Sequence, residues 1–129
     1  MEKKYRVLIV DDEADFRETM AKRFKRRNIE AVTADGCEMA LEKLKASEFD
    51  VIIMDVSMPP GLDGIQCLAK VKELWPKTEV IILTGHASVS SGLEGMKGGA
   101  FDYCLKPIDV EELFEKVALA WEKVQITRS

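Results

Sequence analysis

Five residues with chemically useful side chains stand directly behind short apolar runs. Asp11 and Asp12 follow Val7-Leu8-Ile9-Val10, Asp55 follows Val51-Ile52-Ile53-Met54, and Thr84 follows Val80-Ile81-Ile82-Leu83. Lys106, with Pro107 after it, follows Phe101-Asp102-Tyr103-Cys104-Leu105. If the runs are parallel strands, all five residues gather at one edge of a sheet, where ligands of open α/β sheets bind. Three carboxylates brought together repel one another unless a cation offsets them. Mg²⁺ suits such a place, since it takes one or two carboxylates together with waters and phosphate oxygens. Lys106 adds a movable positive charge. A hydroxyl and an ammonium facing a carboxylate–metal pair can stabilise the oxygens of a transferring phosphoryl group.

Taken singly, each residue has a plainer use. Asp11, Asp12 or Asp15 could cap the helix that follows, Asp55 could belong to the turn before Pro59-Pro60-Gly61, Thr84 could merely end a strand, and Lys106 could be solvated. The joint placement behind four separate runs favours chemistry over coincidence.

The elements that must position these residues follow from periodicity. With the weaker Glu30-Ala31-Val32-Thr33-Ala34 there are five runs, mostly unbroken rather than alternating, as strands buried on both faces are. The stretches between them read as helices. The last is clearest, with Val110, Leu113, Phe114, Val117, Trp121 and Val124 on one face. Asp35-x-x-Glu38, Asp63-x-x-Gln66 and Asp109-x-x-Glu112 each predict a capped helix start. Strand and helix alternating five times imply a doubly wound α/β sheet with right-handed crossovers. Trp75 and Trp121 are expected as packing residues on helix faces.

At 129 residues the expectation is one domain, 1–129, with a core over about 5–124. A net charge of −4 gives no overall attraction to nucleic acid, so this chain is not expected to bind it. The basic run from Lys22 to Arg27 reads as the solvated carboxyl end of a helix. Cys37, Cys67 and Cys104, spaced 30 and 37 residues apart, suggest neither a disulfide framework nor a metal site, and suit a reducing cytosol. The start runs straight into a strand, without a signal-peptide pattern, and no apolar stretch approaches the length of about 18 residues needed to span a bilayer. A cytoplasmic protein without membrane contact is expected.

From Tyr5 to about Val124 the sequence resembles the receiver domains of two-component response regulators. The resemblance rests on Asp11-Asp12-Glu13, Asp55-x-x-Met58-Pro59, Thr84-Gly85-His86, and Gly99-Ala-Phe-Asp-Tyr103-x-x-Lys106-Pro107. It implies a flavodoxin-like (βα)5 sandwich with a five-stranded parallel sheet. It also implies Asp55 as acceptor of a phosphoryl group from a phosphohistidine of a sensor histidine kinase or phosphotransfer protein. Asp12 would bind Mg²⁺ directly and Asp11 through water, with Asp55 and the Ser57 carbonyl as further ligands. Thr84 and Lys106 would contact the phosphoryl oxygens, and Tyr103 would turn inward as Thr84 is recruited. The Lys106-Pro107 bond is often cis in such domains. Ser57 and His86 are candidates for tuning dephosphorylation. The surface of the fourth helix, fifth strand and fifth helix is where partners, a second copy of the chain included, would read the switch. Such a domain is a signalling phosphoacceptor rather than an enzyme with a separate substrate, and it serves alone or as part of a longer regulator with an output domain.

Two features depart from that pattern. Gly64 comes nine residues after Asp55 where eight is usual, so the loop from Met58 to Asp63 is one residue longer. Gly92, Gly95, Gly98 and Gly99 fall in or after the fourth helix, from Ser88 to about Gly98. Glycine costs about 0.8–1.0 kcal/mol against alanine inside a helix, so Gly92 and Gly95 predict a marginal helix that alanine at both positions would stabilise. Only Val89, Leu93 and Met96 offer it an apolar face, while Gly98-Gly99 would serve as its cap. Three rival readings lose on residues. A phosphorylation-independent receiver serving only as a docking surface would lack an acidic residue, the threonine or the lysine. A small-molecule aspartyl-phosphate hydrolase wants a carboxylate where Ser57 stands, and a dinucleotide enzyme wants a glycine-rich turn after the first strand.

Overall fold

A computed structural model describes residues 5–56, 64–85 and 94–128. The elements run β1 (Arg6–Val10), α1 (Ala14–Arg26), β2 (Glu30–Ala34), α2 (Cys37–Ala46), β3 (Val51–Asp55), α3 (Gly64–Leu74) and β4 (Glu79–Thr84). Helical residues 94–97 (α4), β5 (Asp102–Leu105) and α5 (Val110–Arg128) complete the described chain. All strand pairs are parallel, in the order β2-β1-β3-β4-β5. The five apolar runs are the five strands. β3 and β4 are buried throughout, as unbroken apolar runs require.

Two cores flank the sheet. Leu8, Ile52, Met54 and Ile82 pack with Leu44 and Leu68 on the side of α2 and α3. Val7, Ile9, Ile53 and Leu83 pack with Phe24, Leu113 and Val117 on the side of α1 and α5. Tyr5 stacks on Trp121 at 4.3 Å between ring centres, and Phe24 meets Phe114 edge-on. Alternate residues of each strand therefore feed opposite cores, and the strand order reverses between β1 and β3. Ligand crevices open at such a reversal.

Helix starts divide the capping expectations. Asp109 Oδ1 accepts the N–H groups of Glu111 at 3.0 Å and Glu112 at 3.3 Å, which caps α5 as expected. Asp35 does not cap α2: the cap position falls on Gly36, with no side-chain hydrogen bond. Asp63 lies outside the described residues. The basic run does end α1, with Arg27 paired to Glu111 at 2.7 Å and lying over the Phe114 ring.

Three further expectations are corrected. Cys37 and Cys67 form a disulfide with Cα atoms 5.8 Å apart, while Cys104 is buried and free. The spacing of 30 residues hid this because α2 and α3 lie on the same face of the sheet. Gly95 is not a simple helix penalty: it is buried, and a Cβ there would lie 2.1 Å from Ile82 Cδ1. The glycine lets α4 lie directly against β4. Met96, expected on the apolar face, is 40 % exposed. Gly99, at φ 102°, closes α4 as the cap reading required, with Ala100 N–H donating to the Gly95 carbonyl at 3.0 Å. Gly92, Ser88, Val89 and Leu93 lie outside the described residues.

Candidate functional site

The carboxyl ends of β1, β3, β4 and β5 converge as the sequence implied. Asp11 (1 % exposed) directly follows β1, Asp55 (3 %) ends β3 and Thr84 (0 %) ends β4, whereas the neighbouring Asp12 is exposed. One carboxylate oxygen from each of Asp11, Asp12 and Asp55 lies within 4.8 Å of the others, a group that could hold a metal ion. Lys106, next after β5, reaches across to place Nζ 3.0 Å from Asp55 Oδ2. Its own N–H donates to the Thr84 carbonyl at 2.7 Å, which seats it beside β4. The Lys106-Pro107 peptide is cis.

Backbone bonds hold the frame. Asp11 N–H donates to Ala34 O at 3.1 Å, and Val56 N–H donates to Leu83 O at 3.1 Å. Gly64 opens α3 against the acceptor candidate: its N–H donates to Val56 O at 3.0 Å. A Cβ at Gly64 would sit 2.3 Å from the Asp55 carbonyl oxygen and 2.4 Å from Val56 Cα. Both neighbours are backbone, so only glycine fits. The departure in loop length thus leaves a glycine at this contact, while the loop itself, with Ser57, lies outside the described residues. His86 lies outside them as well.

The electrostatics are those of crowded acids with one cation. Asp11 is pushed up to about 6, chiefly by burial and further by the charges of Asp55 and Asp12, against the Glu13 N–H and Lys106. Its Oδ1 accepts the Glu13 N–H at 2.9 Å, while its buried Oδ2 has no hydrogen-bond partner. That bond belongs to the turn before α1 and is not a helix cap: the cap position is Glu13, with no side-chain cap hydrogen bond, so the plainer capping use of Asp11 is not what the fold makes of it. Burial pulls Lys106 down, but its hydrogen bond to Asp55 and the charges of Asp55, Asp11 and Glu13 outweigh that and raise it. An all-oxygen set with a buried, unpartnered carboxylate oxygen fits a hard divalent cation.

Two contributors escaped the sequence reading. Arg17 donates from Nη1 to the Asp11 carbonyl at 2.8 Å. Lys116 of α5 wraps the edge strand, donating to the Tyr103 carbonyl at 2.5 Å and pairing with Asp102 at 3.5 Å. Both act on main-chain carbonyls, which leave no mark in residue types. Only their position, a helical turn or two from the site segments, could have hinted at them.

Known proteins are similar to this chain in sequence and in fold. The chain is 37 % identical over 108 residues to the regulatory protein AtoC of Escherichia coli, covering 84 % of this chain and 23 % of that protein. It is 34 % identical over 113 residues to the response regulator protein FleR of Pseudomonas aeruginosa, covering 88 % and 24 %. The chain thus spans about a quarter of the length of these relatives. Among solved structures, the Francisella response regulator 1452 receiver domain superposes with a TM-score of 0.85 at 31 % identity, covering 93 % of this chain and 98 % of that one. The response regulator receiver domain family matches residues 7–118. Since that match runs from β1 into α5 and takes in every strand end that bears a site residue, the chain belongs to the response regulator receiver domain family.

Proposed function

We infer that this receiver domain is switched by phosphorylation of Asp55. The phosphoryl donor is a phosphohistidine on a sensor histidine kinase or phosphotransfer protein in the cytoplasm. The observation that carries the reading is Lys106 Nζ at 3.0 Å from Asp55 Oδ2, beside the Asp11–Asp12–Asp55 cluster. An Asp55 carboxylate oxygen attacks phosphorus as the phosphorus–nitrogen bond breaks, and the imidazole nitrogen leaves with the electron pair. Thr84 donates its hydroxyl to a phosphoryl oxygen, and Lys106 holds its ammonium against another. Asp11, Asp12 and Asp55, with the Ser57 carbonyl, are the residues that would hold Mg²⁺. When bound, Mg²⁺ offsets the crowded carboxylates and the charge on the phosphoryl oxygens.

The acyl phosphate is later cleaved by water, a step for whose tuning Ser57 and His86 are the candidates the sequence offers. Recruitment of Thr84 draws Tyr103 inward and alters the surface of α4, β5 and α5, which a downstream effector, a fused output domain or a second copy reads. No described helix is long and apolar enough to cross a membrane. The test is intact-mass analysis after treatment with acetyl phosphate and Mg²⁺. The expected outcome is one added phosphoryl group on the native chain and none on Asp55→Asn, which keeps the size but lacks the nucleophilic charge. Full phosphorylation of Asp55→Asn would overturn the assignment.

A further inference from the structure

Cys37 is the first residue of α2, and Cys67 lies in the first turn of α3. Their bond joins two segments that frame the acidic site from behind. On one side, α3 opens at Gly64, pressed against the Asp55 carbonyl and bonded to the Val56 carbonyl at 3.0 Å. On the other, α2 follows β2, whose last residue Ala34 accepts the Asp11 N–H at 3.1 Å. The backbone neighbours of both Asp11 and Asp55 are therefore tied together through one covalent link. For a protein at work in a reducing cytoplasm, a disulfide is characteristically transient and redox-sensing rather than a permanent staple.

We propose that Cys37 and Cys67 form a reversible thiol–disulfide switch that tightens the Asp11–Asp12–Asp55 site for its divalent cation. The proposal rests on the reading of that site given above. Both cysteines are buried, Cys37 at 6 % exposure and Cys67 at none, so Cys37 is the nearer of the two to solvent. The amino end of α2 also favours negative charge on its sulfur. With a hydroperoxide as oxidant, the Cys37 thiolate attacks one peroxide oxygen, the O–O bond breaks, and a sulfenic acid and hydroxide (or alkoxide) form. The Cys67 sulfur then displaces the sulfenic hydroxyl, the S–S bond forms, and the hydroxyl leaves as water with the Cys67 proton. A dithiol such as thioredoxin-type proteins carry reverses the step by exchange. Pairing of Val10 with Met54 already sets Asp11 beside Asp55, and the disulfide adds a second tie through the segments behind them, so less reorganisation opposes metal binding in that form.

The chain is treated with hydrogen peroxide or with dithiothreitol, and each form is digested without reduction and analysed by mass spectrometry. Mg²⁺ affinity is measured by calorimetry on both forms. The expected results are a Cys37–Cys67 cross-linked peptide after peroxide, with Cys104 still alkylated on unfolding. Mg²⁺ binding at least about fivefold tighter in the disulfide form is also expected, at the lower end of common coupling between sites. By reciprocity, Mg²⁺ makes the bond harder to reduce by the same factor in a glutathione redox titration, a readout that involves no phosphorylation. Cys37→Ser and Cys67→Ser each abolish the difference, and the two forms of the unaltered chain carry the test if neither variant folds. Three alkylatable thiols after peroxide treatment, with no cross-linked peptide, overturn the proposal. Equal Mg²⁺ affinity in both forms overturns the coupling alone. Absence of Mg²⁺ binding in both forms overturns the site reading and the coupling with it, while the cross-link remains as mapped.

Discussion

At the scale of the residue, Asp11 bears two demands on one carboxylate. One oxygen receives the Glu13 N–H at 2.9 Å, and the other is buried without a donor. Burial raises its pKa from 3.8 to about 6. In the metal-free protein the folded chain thus keeps a proton that the unfolded chain has released, so stability falls as pH rises through that window and the loss is complete above it. Asp11→Asn removes this slope and, near neutral pH without metal, raises the melting temperature by roughly 3–6 °C, which corresponds to about 1 kcal/mol. Thermal unfolding between pH 4 and 7 with a chelator checks it; an unchanged slope would show that Asp11 is not the titrating group. The candidate site residues were legible because each stands at the end of an apolar run. Arg17 was not, because it serves a carbonyl, and carbonyls are the same at every residue.

At the scale of the element, the helix next to β4 shows propensity overridden by packing. Sequence counted Gly95 as a helix penalty, whereas in the fold its missing side chain makes room for Ile82 Cδ1. Alanine at that position gains up to about 1 kcal/mol of helix propensity but drives Ile82 off its rotamer, at a cost of about 0.5–1.5 kcal/mol. Gly95→Ala alone should therefore give no stabilisation. In an Ile82→Val background, which lacks the obstructing Cδ1, the same change should stabilise by about 0.5–1 kcal/mol. A double-mutant cycle by urea unfolding reads the coupling, and equal effects in both backgrounds would show that the contact is not felt. Capping divided for a similar reason. Asp109 had the right residue in the right place, whereas Asp35 lost the cap position of α2 to Gly36.

At the scale of the whole molecule, the edge of the sheet opposite the site is locked by charge. Arg128, in the last turn of α5, donates to Asp50 Oδ1 at 2.8 Å and to the Phe49 carbonyl at 2.9 Å, at the start of β3. Arg6 N–H donates to Asp50 Oδ2 at 2.8 Å, and the buried Glu79 has Lys123 at 3.3 Å and Lys72 at 3.6 Å. Arg128→Ala should lower the unfolding free energy by about 1–2 kcal/mol, the scale of hydrogen bonds to charged groups. The urea midpoint should fall with the slope unchanged; an unmoved midpoint would mean that the end of α5 is not held there. By itself the sequence determined the number of strands and their succession along the chain, the parallel sheet and the edge where Asp11, Asp12, Asp55, Thr84 and Lys106 meet. Those follow from local periodicity and from the rule that parallel strands present their carboxyl ends together. Only the tertiary structure decided that Cys37 meets Cys67, that Gly64 and Gly95 are demanded by backbone and side chain across the fold, and that Arg128 returns to β3. These are distances between segments far apart in the chain, and the order of residues along it does not encode how far apart two helices on one face will stand.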